Sequence, residues 1–291
     1  MVSPKVQLSH RRRRHVRQSF DDRVKDEWRR YAVEPQRILR RTLRERFLRQ
    51  HLRRSSGILL ELGPGPGRFT PTLRRATRGR VVALDLSLEG LRSARRRARQ
   101  QPGLARIDWV QGAGECLPLL SRSVDTVVAF GNIVSFAALD GPALLKELGR
   151  VVKPRGRLLA DFASPAAAFQ EFFYVAARQR LLGRVLRRPH HYFLDRVLAT
   201  GFQPLAPARL APWEFQFYTV AKAEKELARA GFRTVDAMSV APIAAYQNRV
   251  AAVARREKRT WETLLRVEEQ IGRRPGVLET GHGFLIAAVR T

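Results

Sequence analysis

Ile58-Leu59-Leu60-Glu61-Leu62-Gly63-Pro64-Gly65-Pro66-Gly67-Arg68-Phe69 decides the reading of this chain. A short apolar run with one acid, bounded by Ser-Ser-Gly and a glycine turn, predicts a buried strand. The glycines allow backbone angles that other residues avoid and let a ligand come close to the main chain. The segment Arg68 to Thr77 is expected to be helical, so the turn would feed a helix N-terminus with its positive dipole and unpaired N–H groups. The next strand, Val81-Val82-Ala83-Leu84-Asp85, ends in an acid whose carboxylate can accept hydrogen bonds from both hydroxyls of a ribose. A glycine turn with an acid about 20 residues on is the nucleotide-binding logic of doubly wound folds.

Downstream of this pair the pattern alternates between short apolar strands and charged helices, as in a parallel sheet covered on both faces. Ser87 is placed to cap a helix reaching about Gln100. Ile107 to Val110, Val124 to Phe130 and Arg157 to Ala160 read as strands three to five, with a helix from Pro142 to Val152 before the fifth. The rhythm breaks over 164–218, a stretch holding eleven aromatic residues. It is too long for an ordinary connection and is read as an insertion. Thr219 to Ala230 is then helical, Thr234 to Val240 a strand, about 244–271 a second helical insertion, and Gly283 to Arg290 the last strand. Upstream, Ile38, Leu39, Leu43, Phe47, Leu48 and Leu52 recur at helical spacing after Pro35.

The expected organisation is thus a disordered basic arm (1–19), an N-terminal helical segment (20–56), a first half-domain (57–163), an aromatic lid (164–218) and a second half-domain (219–291). The arm is expected to be disordered because its block of like charges repels itself.

The chain has 291 residues, 44% of them hydrophobic, which is enough for a sizeable core. Its single cysteine, Cys116, leaves no internal disulfide framework or cysteine-based metal site, and no metal is expected. No apolar segment follows the basic N-terminus as a secretory signal requires, and no apolar run is long enough to span a bilayer. A cytoplasmic location is the default expectation. The net charge of +29, carried by 48 Arg and 7 Lys against 26 acids, favours non-specific contact with polyanions, either RNA or an anionic membrane surface. The alternative is a generically basic surface with no dedicated partner.

The glycines fall as G-x-G-x-G with Glu61 two places before the first, where a dinucleotide oxidoreductase would show G-x-G-x-x-G. Here the sequence resembles the class I S-adenosylmethionine-dependent methyltransferases, in particular the small-molecule and quinone-type group. The resemblance covers roughly 56–163 and resumes over 219–291. It extends through Val110-Gln111-Gly112-Ala113-Gly114-Glu115-Cys116-Leu117-Pro118, the family's loop along the adenine. It also takes in Ser123 to Val128 as strand four, Leu145 to Gly156 before strand five, and Ala230-Gly231-Phe232 before strand six.

The resemblance implies a seven-stranded, mostly parallel α/β sheet with helical lid insertions. It implies S-adenosylmethionine as cofactor, held by Glu61, Gly63, Gly65, Gly67, Asp85, Leu86, Gly114, Glu115, Phe130 and Asn132. Ala113 stands where the family often has an Asp for the adenine amino group, so that recognition falls to Gly114, Glu115 or main chain. Asp125 is expected to order its strand without touching the ligand.

The implied reaction is an in-line methyl transfer from a sulfonium, in which positioning does most of the work. Candidate bases are Tyr31, His190, His191, Tyr192 and His282, although a lone His or Tyr is more often a surface or packing residue. No Asn/Asp-Pro-Pro-aromatic sequence follows strand four, which disfavours exocyclic base amines and glutamine as acceptors. Three functions remain: methylation of a small or lipid-like acceptor, methylation of RNA, and cofactor binding without catalysis.

Overall fold

The computed structural model describes residues 4–52, 56–101, 106–178, 180, 192–203 and 214–291. Its strands are β1 (Ile58–Leu62), β2 (Arg80–Asp85), β3 (Ile107–Gln111), β4 (Val124–Ala129), β5 (Val152–Phe162), β6 (Phe202–Gln203), β7 (Phe215–Gln216), β8 (Phe232–Ser239) and β9 (Phe284–Arg290). Its helices are α1 (Pro4–Val33), α2 (Pro35–His51), α3 (Thr70–Ala76), α4 (Leu88–Arg99), α5 (Ile133–Phe136), α6 (Gly141–Val151), α7 (Pro165–Arg178), α8 (Tyr192–Thr200), α9 (Val220–Arg229), α10 (Asn248–Ala254) and α11 (Lys258–Gly272).

Seven strands form one sheet in the order β3-β2-β1-β4-β5-β9-β8. The first five are parallel and β9 runs antiparallel between β5 and β8. Alternate residues of each strand feed opposite faces. Leu60, Val82, Leu84, Val127 and Leu158 join the core under α6 and α9, while Leu59, Val81, Ala83, Val128 and Leu159 join the core under α2. The strand order reverses between β1 and β4, which opens a crevice at their carboxyl ends. Asp125 ties these two strands together, since its Oδ2 accepts the Ile58 N–H at 2.8 Å and meets Lys153 Nζ at 3.0 Å.

Several expected boundaries move. The helix after the glycine turn begins at Thr70, because Gly67 (φ +82°) still belongs to the turn. The fifth strand starts at Val152 and the second insertion resolves into α10 and α11. Tyr218, expected in the insertion, is 1% exposed in the main core, with its N–H donating to the Ala163 carbonyl at 2.8 Å. Cys116 is exposed beside an isolated bridge to Ala113.

The N-terminus departs most from expectation. Where a disordered arm is expected, the structure describes the helix α1. Val16, Phe20, Val24, Glu27 and Tyr31 fall at helical spacing and turn toward one cavity, with Val16 buried. The Asp21 carboxylate accepts the Ser87 hydroxyl at 2.5 Å and anchors α1 to α4.

Candidate functional site

A cavity of about 460 Å³, within the usual range for small-molecule sites, lies along the carboxyl edge of β1, β2 and β4 and runs under α1 to α2 and α7. Its two ends have different chemistry.

At the first end the turn after β1 meets the ends of β2 and β4. The Asp85 carboxylate organises this meeting: Oδ2 accepts the Gly65 N–H and Oδ1 the Ser87 N–H, each at 2.8 Å. Burial pushes the Asp85 carboxyl up to about 6, against the pull of the Ser87 and Gly65 N–H groups. Gly65 (φ +51°) has nothing within 4 Å of where a Cβ would stand, so its main chain is open to a ligand. Asn132 sits in the left-handed region (φ 60°), donating its N–H to Asp161 Oδ1 at 2.6 Å. Its own Oδ1 is buried without a hydrogen-bond partner. Phe130 packs edge-on to Phe69 with centroids 5.6 Å apart.

Eight of the ten residues expected here line the cavity: Gly63, Gly65, Asp85, Leu86, Gly114, Glu115, Phe130 and Asn132. Glu61 and Gly67 stand behind the surface. A Cβ on Gly67 would meet the Ala94 Cβ at 2.8 Å, so this glycine admits α4. Glu61 is 3% exposed, and burial pushes its carboxyl up to about 8, with Asp85 adding to the rise.

The second end is a chamber with an aromatic wall and a charged floor. Phe136 makes edge contacts with Phe20 (5.1 Å) and Phe215 (4.7 Å), and Phe217 adjoins Phe215 at 4.8 Å. This wall continues into a small core over the sheet edge built from Ala163, Val197, Phe215 and Phe217. The floor comes from α2, α7 and two loops. Arg44 Nε pairs with the buried Asp161 at 2.8 Å, and Arg40 stacks over the Tyr246 ring at 5.0 Å. His282 Nε2 lies 3.9 Å from Glu171 Oε2.

Of the expected bases, Tyr31 and His282 line the cavity. The Tyr31 ring lies under the Arg68 guanidinium at 3.9 Å. Burial holds the His282 imidazole well below its ordinary value, with Arg40, Arg44 and Arg37 adding to the effect, so it is neutral at pH 7. His190 and His191 lie outside the described residues, and for Tyr192 the helix α8 is described but not the side chain. Among the described residues no three His, Cys, Asp or Glu side chains gather as metal ligands, and no helix is long and apolar enough to cross a membrane.

Sequence reasoning missed Phe20, Arg44, Glu171 and Tyr246 on this cavity. The stripe from Val16 to Tyr31 was a readable signal for the first. Nothing local marks Glu171 or Tyr246, which lie far apart in sequence and meet only in the fold.

Comparison with known proteins agrees with this geometry. Residues 59–156 match the family described as "Methyltransferase domain". The ubiquinone/menaquinone biosynthesis C-methyltransferase of Rubrivivax gelatinosus is 32% identical over 136 residues, 46% of this chain and 51% of that protein. The malonyl-[acyl-carrier protein] O-methyltransferase of Halorhodospira halophila is 36% identical over 198 residues, 65% of this chain and 62% of that protein. The chain thus spans about half the length of the quinone enzyme. Among solved structures, an S-adenosylmethionine-dependent methyltransferase from Thermotoga maritima superposes with a TM-score of 0.59 at 15% identity, covering 94% of this chain and 98% of that one. At that identity the likeness speaks for the fold alone.

Proposed function

We propose that this chain, which matches a methyltransferase domain over residues 59–156, is a class I S-adenosylmethionine-dependent enzyme that methylates a small or lipid-like acceptor. One observation carries the reading: a single cavity joins the glycine turn and Asp85 to an aromatic chamber. The quinone and malonyl-carrier specificities printed for two relatives fit an acceptor of that kind. Arg13 and Arg17, from the segment expected to reach for polyanions, line the cavity as well, which favours this reading over RNA.

The residues fit the cofactor. The open main chain at Gly65 and the buried, unpartnered Asn132 Oδ1 suit a ligand with both polar and apolar parts. Asp85 would take the ribose hydroxyls, Leu86, Gly114 and Glu115 the adenine, and Gly63, Phe130 and Asn132 the amino-acid end. Glu61 would support the turn from behind. Bound there, the cofactor supplies a methyl group on a positively charged sulfur, an electrophile that needs no further activation.

The chain's own task is to hold an acceptor lone pair in line with that methyl group and to exclude water. The phenyl rings around Phe136 and Phe215 do the excluding, with α7, α8 and the β6–β7 ribbon as the cover. An acceptor that must lose a proton finds the neutral His282 imidazole on the floor of the chamber. Calorimetry with S-adenosylmethionine, S-adenosylhomocysteine and NAD tests the reading. Binding of the first two without the third is expected, and NAD binding without them would overturn it. The mass of co-purifying small molecules then addresses the acceptor.

A further inference from the structure

Arg37, Arg40, Arg41 and Arg44 fall at i, i+3, i+4 and i+7 on α2, so they share one side of the helix. Two of them have close carboxylate partners: Arg37 Nε lies 2.7 Å from Glu34 and Arg44 Nε 2.8 Å from Asp161. The other two do not. Arg40 is 1% exposed, yet none of its three guanidinium nitrogens makes a hydrogen bond, and Glu171 approaches no nearer than 3.9 Å. Arg41 Nε stands 3.6 Å from Glu45, also without a hydrogen bond.

Arg68 reaches the same space from the turn after β1. It donates to the Glu27 backbone carbonyl at 2.7 Å and is held between the Tyr31 and Trp28 rings. No carboxylate stands within ion-pair distance of it among the described residues. Burial draws its pKa down to about 10, a sign of incomplete compensation. Arg37, Arg41, Arg44 and Arg68 all line the cavity. Of all these arginines only Arg40 is fully buried without a hydrogen bond, a costly state, while Arg41 is a third exposed and Arg68 half-buried; the planar forks of the latter two reach the cavity and suit oxyanions.

Granting the methyltransferase reading, the cofactor's amino-acid end is assigned to Gly63, Phe130 and Asn132, which leaves Arg41 and Arg68 for an anion of another ligand. We propose that the methyl acceptor carries an anionic group, a carboxylate or a phosphate monoester, held by Arg41 and Arg68 beside Arg37, with its apolar body against Phe172, Phe215 and Phe217. The placement gives one ligand to the cations and phenyl rings that line the same cavity. It also gives Arg40, behind the floor, a compensating charge that Glu171 supplies only at a distance.

The test uses three ligands of one shape: 4-phenylbutyrate, 4-phenylbutyl phosphate and uncharged 4-phenylbutanol. Each is titrated calorimetrically into the full chain, with and without saturating S-adenosylhomocysteine. At least one anion should bind about tenfold or more tightly than the alcohol, and the better of the two identifies carboxylate or phosphate. The double variant Arg41→Gln/Arg68→Gln should lose that preference and Arg41→Lys/Arg68→Lys should keep most of it.

Equal binding of anion and alcohol to the wild type, or no anion binding, overturns the proposal. So does a preference that survives in the Gln double variant, since it would then arise from the general field of a +29 chain. Should S-adenosylhomocysteine fail to bind the wild type, the methyltransferase reading falls, and the titrations without it still decide the anion site.

Discussion

The two ends of the cavity are built on opposite plans. The cofactor end is made of strand ends and backbone within the span from β1 to α5, each part fixed by a neighbour in the sheet. The proposed acceptor end gathers side chains from the adjoining helices α1 and α2, from α7, and from Tyr246 and His282, groups otherwise far apart in the sequence. A site made of main chain is rigid because sheet hydrogen bonds hold it. A site made of converging side chains is adjustable, which suits the end where acceptors would differ. Asp161 joins the two plans, accepting the Asn132 N–H on one side and pairing with Arg44 on the other.

The sharpest way to separate the ends is Gly65→Val. A branched side chain at φ +51°, projecting into the open space beside Asp85, should abolish measurable S-adenosylhomocysteine binding, a loss of about 4 kcal/mol or more. Thermal unfolding should stay cooperative. Retained binding would mean that the ligand does not approach this turn.

Asp85→Ala comes next, with an expected loss of about 2–4 kcal/mol in calorimetry, as for charged hydrogen bonds. The same carboxylate sets a pH dependence. It must be ionised to accept two hydroxyl donors, and its pKa in the free protein is about 6. Affinity should therefore be level above pH 7 and fall on acidification through 6, approaching tenfold per pH unit. In Asp85→Asn this acid limb should vanish.

Phe20→Ala probes the roof that the two ends share, because Phe20 lies on α1 one residue from Asp21, which anchors the α4 cap, and touches Phe136 of the chamber. Loss of one half-buried ring contact should cost about 1–2 kcal/mol of stability and lower turnover more than cofactor affinity. An equal fall in both would show that the ends are coupled through α1.

The smallest effect is expected for Glu61→Gln. With a pKa of about 8 the carboxyl is mostly protonated at pH 7, so the amide replaces a neutral group of similar shape. Cofactor affinity should change by less than about 1 kcal/mol. A large loss would mean that Glu61 is ionised in the bound state and acts on the ligand's charge.

The contrast between the ends also explains what could be read in advance. The strand–turn–helix passage through Gly63, Gly65 and Gly67, with Asp85 twenty residues beyond Gly65, is a local pattern whose geometry follows from backbone chemistry. Gly67 and Glu61 are expected as ligand contacts for the same reason; in the structure Gly67 lies against Ala94 of α4 and Glu61 is buried behind the cavity surface. Arg40 and Arg44 look like members of a charged solvent face until α2 is laid on the sheet, where burial turns them inward.

By itself, then, the sequence determined the sheet, the glycine turn, Asp85 and the resemblance to methyltransferases, because each depends on residues close along the chain and on spacings that β-strands and helix starts impose. Only the tertiary structure decided that the basic N-terminus becomes a helical roof, that Arg44 pairs with Asp161, and that Glu171, Tyr246 and His282 share a chamber with arginines of α2. Those contacts join residues separated by more than a hundred positions, such as Arg44 and Asp161 or Arg44 and His282. Apart from the helical stripe of the N-terminal segment, their formation rests on long-range packing and burial, which leave no periodic mark in the chain.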